Sequence, residues 1–172
     1  MKTWIKWGVP ALVLSAALHL LIVATLPYAI MLVLKLSTDH TPNTIFHNPP
    51  VTADSREVVR PSPDLLYSGC PFNLSDGPLR VTAPVSETYY SVSAFAENTD
   101  NFFAINDRQM KGQPLRLVVV GPGQQYQAKA GERVVQSPTT LGTMIFRMLI
   151  TDRKKLAALQ AVQRKANCQT VK

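Results

Sequence analysis

The chain lacks the short motifs by which enzymes are usually recognised. No G-x-S-x-G, H-E-x-x-H, G-K-[ST] or C-x-x-C occurs in its 172 residues. That removes the sequence signals for a nucleophile elbow, a zinc helix, a phosphate loop and a dithiol pair. Histidine is scarce too. Of the three, His19 lies in an apolar run, and only His40 and His47 stand in polar sequence. With Asp39 they could touch a metal, but two ligands on a Pro-rich segment make a weak site. A Ser–His–acid triad would have to recruit one of the same two rings. No catalytic residue, metal ligand or cofactor is therefore assigned.

Acidic residues are outnumbered, eleven Asp and Glu against eighteen Lys and Arg, and the position of the excess decides its meaning. Lys2, Lys6 and Lys35 flank an apolar segment. Seven basic residues lie between Arg147 and Lys172 against the single acid Asp152, whereas Leu36–Phe146 holds eight basic and ten acidic residues. The body is near neutral and the basicity sits at the ends. No aromatic residue interleaves with the C-terminal positives to stack bases, so nucleic acid is not a predicted partner. Those positives read as a solvated helix face, and contact with anionic lipid ranks above nucleic acid.

Between Lys6 and Lys35 stand 28 residues without a formal charge, Trp7 to Leu34. Residues 11–34 alone make roughly 36 Å of helix at about 1.5 Å per residue. That exceeds a hydrocarbon core of roughly 30 Å, so the segment predicts a tilted transmembrane helix with the bilayer as its partner. A cleaved signal peptide would have an apolar region of about 7–15 residues and an A-x-A-like site. This run is longer, and LVLKLSTDH offers no such site. Lys2, Lys6 and the amino terminus precede the helix and only Lys35 follows closely. The positive-inside bias then predicts a single pass through the inner membrane of a Gram-negative bacterium, N-terminus cytoplasmic and the remainder periplasmic. The expected organisation is an anchor over 1–35, an extended Pro-, Thr-, Asn- and Asp-rich linker over 36–57, and a periplasmic domain over 58–172.

Beyond the linker the pattern is of short strands between turn residues. Leu79, Val81, Ala83 and Val85 alternate with polar residues or Pro, and Tyr90, Val92 and Ala94 share one face of a second strand. LRLVVVG, residues 115–121, is a β-branched apolar run suited to a central strand. Weaker strands are expected over Leu65–Tyr67, Phe102–Ile105 and Glu132–Gln136. Asp76-Gly77-Pro78, Asn106-Asp107 and Gly121-Pro122-Gly123 supply turns. The end of the chain reads as two helices. Ser137 and Pro138 suit an N-cap and a first helical position, with Leu141, Met144, Ile145, Met148 and Leu149 on one stripe. Asp152 caps a second helix whose Leu156, Leu159 and Val162 face inward. The predicted fold is mainly β: a β-sandwich, jelly-roll-like domain with two C-terminal helices, preceded by the transmembrane helix.

Cys70 and Cys168 are the only cysteines. In an oxidising compartment they predict a disulfide that pins the last helix to the sheet. The densest polar cluster is residues 98–108, with Asn98, Asp100, Asn101, Asn106, Asp107 and Arg108 around Phe102 and Phe103. Its default role is to shape tight loops; the functional alternative is one wall of a ligand pocket, its carboxylates holding a cation.

Several stretches, RPSPDLLYSGCPFNLSDGPLRVTAPV, YYSVSAFAENTDNFFAINDR, LVVVGPG and SPTTLGTMIFRMLI, together resemble the bacterial family catalogued as domain of unknown function 1254. The resemblance covers residues 44–165 and departs at Ser62, where the family has Asn, and at Pro71. It implies a β-sandwich, and a partner protein with a related β-sandwich, because longer members carry a second domain in the same chain. Its motifs single out Arg60, Asp64, Tyr67, Asn98, Asp100, Asn101 and Arg147, which with Asp107 are the candidate ligand-binding residues; Ser68 belongs to the same motifs. The expected function is an interaction module in a cell-envelope complex. The alternatives are a periplasmic binding protein for a small ligand, with the 98–108 loop and Tyr67 as pocket walls, and an envelope enzyme working through the carboxylates of Asp64, Asp100 and Asp107.

Overall fold

The computed structural model describes residues 2–37, 40–56 and 60–171. Asp39 lies outside these residues, as do Val58 and Val59, where the sequence places the start of the domain. The first element, α1 (Lys2–Ser37), continues the apolar run in both directions and includes Pro10 and Pro27. Pro27 cannot donate to the carbonyl one turn back. Nearby, Thr25 Oγ1 donates to the carbonyl of Leu21 at 2.8 Å. The large apolar side chains of α1 are not covered: Trp4 is 86% and Leu14 70% exposed. A helix apolar on every side has no stable place in water, and Trp4–Leu36 is long and apolar enough to cross a membrane.

The rest of the described chain is mainly strands: β1 (Phe46–His47), β2 (Leu65–Asn73), β3 (Leu79–Ala83), β4 (Tyr90–Ala96), β5 (Asn101–Asn106), β6 (Leu115–Val120), β7 (Arg133–Gln136), β8 (Leu141–Leu149) and β9 (Asn167–Thr170). They form two sheets, ordered β1-β2-β8-β4-β5 and β7-β6-β3-β9. Only β6 and β7 pair in parallel. The period-two pattern aims Leu66, Phe72, Val92 and Phe146 of the first sheet at Leu79, Val81, Leu117 and Val119 of the second, in one shared core. Val118, on the opposite face of β6, is buried as well, as expected of a β-branched run inside a sheet.

Two expectations are corrected. Leu141–Leu149 is not a helix but β8, the central strand of the first sheet, bonded to β2 on one side and β4 on the other. Met144, Phe146 and Met148 alternate inward, and Ser137 closes a turn: its Oγ donates to the carbonyl of Thr139 at 2.7 Å and accepts from the Thr139 amide. The second correction concerns what the disulfide joins. Cys70 and Cys168 are bonded, but Cys168 lies in β9, so the bridge ties one sheet to the other and not a helix to a sheet. The remaining helices are α2 (Asp107–Met110), with Asn106 and Gln109 making a reciprocal cap, and α3 (Leu156–Gln163), which follows a 3-10 turn opened by Asp152.

The stretch read as linker takes part in the domain. Asn43 Nδ2 donates to the carbonyl of Asn73 at 2.8 Å and to Thr170 Oγ1 at 2.9 Å, and its Oδ1 accepts from the Asn73 amide. Phe46 lies over Gly69, where a Cβ would strike its ring. The chain therefore joins the sandwich at the Asn73 end of β2, hereafter the near end. By register, the β4–β5 hairpin with Asp100 shares that end, whereas Leu65, Leu149, Tyr90 and Asn106 lie at the far end. Arg153 lies at the far end, where its Nη2 donates to the carbonyl of Pro63 at 3.4 Å.

Candidate functional site

The candidate residues divide between the two ends. Tyr67 and Arg147 are opposite one another on β2 and β8, next to Ser91 and Asn106 in the same cross-strand row. Tyr67 Oη accepts from the Ser62 amide at 3.0 Å, which folds the segment before β2 onto the strand. Asp64 contributes its backbone, the amide donating to Ser62 Oγ and the carbonyl accepting from the Ile150 amide at 2.8 Å. The Asp64 and Arg60 side chains are exposed.

Asn98, Asp100 and Asn101 shape the hairpin. Asn98 Nδ2 donates to Asp100 Oδ2 at 2.6 Å, Thr99 takes φ 69°, and Asn101 Nδ2 reaches the carbonyls of Ala94 and Phe103 at 3.1 and 3.2 Å across a bulge. Short Asx side chains commonly satisfy local backbone in this way. The rows of Tyr67 and Asn101 are four residues apart along the strands and three strands apart across the sheet, or about 13 Å by about 14 Å. Tyr67 and the 98–101 hairpin therefore do not line one pocket. Asp107 is separated from that hairpin by the whole of β5. Among the described residues, no three His, Cys, Asp or Glu side chains converge to hold a metal.

Three constellations were not legible in the sequence. The first is buried. Gln163 Nε2 donates to Ser68 Oγ and to the carbonyl of Tyr67, both at 2.9 Å, and Ser68 Oγ is 2.9 Å from His47 Nδ1. Ser68 Oγ accepts from Gln163 and either donates to Nδ1 or accepts from it, according to the imidazole tautomer. Burial, and secondarily the charge of Arg164, hold the His47 pKa below its ordinary value near 6.5. Ser68 is 2% exposed, which leaves a substrate carbonyl no approach to its oxygen, and Gln163 bonds Ser68 itself rather than the second imidazole nitrogen, where a triad would have its acid. The network ties β1 and α3 to β2.

A pH dependence follows, because the folded chain resists protonating His47 more than the unfolded chain does. The corresponding stability is complete above about pH 6.5 and is lost as the pH falls through that value toward the lowered folded pKa. The denaturation midpoint should fall between pH 7 and pH 5. In His47→Asn, which keeps an acceptor near the Nδ1 position, the fall should be shallower.

The second constellation lies outside the second sheet. Arg80 Nε donates to Glu132 Oε1 at 3.2 Å, Arg80 Nη2 to Tyr126 Oη at 3.1 Å, and Tyr126 Oη to Glu132 Oε2 at 2.8 Å. Donation from the Lys129 amide, then from Tyr126, lowers the Glu132 pKa. These bonds hold the long β6–β7 connection against Arg80 of β3. The third constellation surrounds α2. A groove of about 500 Å³ is lined by Lys111, Arg116 and Arg133 together with Met110 and Gln113. A smaller cavity of about 170 Å³ shares those two residues and contains Tyr90 and Asp107.

A family model described as protein of unknown function (DUF1254) matches residues 42–170. The chain belongs to the DUF1254 family. The matched region begins beside Asn43, where the sandwich begins. No curated protein matches the chain. Among solved structures, the VPA0106 protein from Vibrio parahaemolyticus is 14% identical with a TM-score of 0.65, covering 84% of this chain and 36% of its own. An uncharacterised protein from Burkholderia cenocepacia is 15% identical with a TM-score of 0.47, covering 84% of this chain and 39% of its own. The first likeness shows a shared fold, and this chain spans little more than a third of that protein. Of the DUF1254 motif residues, Tyr67 and Ser68 sit where the segment before β2, β1 and α3 meet.

Proposed function

We propose that this DUF1254 protein is a single-pass protein of the bacterial inner membrane whose sandwich stands in the periplasm and docks on a separate, related β-sandwich protein. What supports the docking is that the shared fold makes up 36% of the Vibrio parahaemolyticus relative, so in that protein a sandwich of this kind stands beside further structure. Lys2 and Lys6 ahead of α1 favour a cytoplasmic N-terminus, and the Cys70–Cys168 bridge suits an oxidising compartment. The far end of the sandwich, opposite the point where the chain arrives from α1, carries Lys111, Arg116 and Arg133 around a groove. Its charge complements an acidic partner surface.

The full chain, tagged at its C-terminus and purified in mild detergent from its own host, should bring down one β-sandwich protein in stoichiometric amount. Exchanging Lys111, Arg116 and Arg133 for Glu should release it. Recovery of the chain alone would remove the docking reading. A reporter fused after Lys172 that worked only in the cytosol would remove the compartment.

A further inference from the structure

The small cavity beside α2 has two features that the packing of the sandwich does not explain. Tyr90 is the first residue of β4 and is 2% exposed, yet its hydroxyl has no hydrogen-bond partner, and Asp107 Oδ1 is likewise buried and unpartnered. Both residues line the same cavity of about 170 Å³. That is several times the roughly 30 Å³ that one water occupies in the liquid. Leaving such groups unsatisfied costs about 1–3 kcal/mol each, so two in one cavity mark a place suited to a polar guest. Among the described residues the one ion pair is Arg80–Glu132, so no described Lys, Arg or His nitrogen lies within 4.0 Å of the Asp107 carboxylate.

We infer that this cavity binds a small primary ammonium compound, its head donating to Asp107 Oδ1 and to the Tyr90 hydroxyl oxygen. The chemistry of the walls narrows the class. A carboxylate accepts hydrogen bonds and prefers a charged donor. One carboxylate, with no convergent cluster of acids or histidines, is too few ligands for a divalent cation, which takes six or more oxygens. Val85 and Met110 supply apolar wall for a short alkyl stem, and Gln113 and Ser86 also line the cavity. Burial drives the Tyr90 pKa upward, so the phenol stays neutral and does not compete with Asp107 for the charge. The cavity adjoins the groove proposed for docking and shares Met110 and Gln113 with it, but binding of a small guest to the isolated chain requires no partner.

The test uses the full chain in mild detergent with three probes of one shape: n-propylammonium, n-propanol and propionate. Propylammonium should raise the thermal midpoint in a saturable way, and propanol at least tenfold more weakly. Asp107→Asn should weaken propylammonium binding at least tenfold. Asn106 and Gln109, which cap α2, are untouched by that change. Tyr90→Phe should leave the midpoint of the free protein unchanged or higher, since it deletes an unsatisfied hydroxyl, while weakening propylammonium. Equal binding of propanol and propylammonium, binding of propionate alone, or no saturable binding of any probe to the wild-type chain would each overturn the assignment without reference to the variants. A lower midpoint in Tyr90→Phe would instead give that hydroxyl a structural role and overturn its part.

Discussion

Replacing Cys70 and Cys168 together by Ala is expected to cost the domain about 2–5 kcal/mol of stability, one of the two largest effects expected of any substitution proposed for this protein. The two residues are 98 apart in sequence, and in the chain-entropy account closing a loop of about 100 residues contributes about 4.7 kcal/mol by restricting the unfolded chain. Both are buried, at 0% and 3% exposure, so a reductant reaches the sulfurs only after the sandwich opens. The bridge joins the inner faces of two sheets that share no backbone hydrogen bonds. Its loss should therefore separate the sheets in the unfolding equilibrium and leave strand pairing within each less affected. The check is the denaturant midpoint of the full chain with and without reductant, beside the double Ala variant. A difference below about 1 kcal/mol would mean that the shared apolar core alone holds the sheets together.

Gly142→Ala is expected to be comparably damaging. Gly142 lies in β8 between Phe72 of β2 and Ala96 of β4, and an added Cβ would meet the carbonyl oxygen of Phe95 and the ring of Phe72. Overpacking ordinarily costs about 1–3 kcal/mol. Because the obstacle here includes backbone of the neighbouring strand, the upper part of that range is expected, with a correspondingly lower thermal midpoint. Gly69→Ala is the comparison. There the new Cβ would meet the far end of the Phe46 ring alone, so the strain can be relieved by lifting β1 off β2. A loss of about 1 kcal/mol, with faster hydrogen exchange of the Asn48 amide that bonds the Tyr67 carbonyl, should distinguish the two positions.

Much of the architecture could be read locally. The alternation in Leu79–Ala83, the apolar run in Leu115–Val120 and the cap at Asp152 each depend on neighbours a few residues away, and each appears where its pattern places it. The stretch Leu141–Leu149 misleads because it satisfies two templates at once. Leu141, Met144, Ile145, Met148 and Leu149 form a helical stripe, while Met144, Phe146 and Met148 form a strand face. What settles it is the pair of ladders offered by β2 and β4, which lie more than forty residues away along the chain. The candidate site was less legible for the same reason. Ser68 meets both His47 and Gln163, and Asp107 shares a cavity with Tyr90, and no spacing rule connects positions so distant.

The sequence alone therefore determined the apolar helix, the family and the strand-rich class, because charge exclusion, turn chemistry and period-two alternation act within a few residues. Tertiary structure alone decided that β8 is the central strand, that the disulfide joins two sheets, and that Tyr90 and Asp107 face one cavity. Those outcomes depend on hydrogen bonds and contacts between segments brought together only by folding.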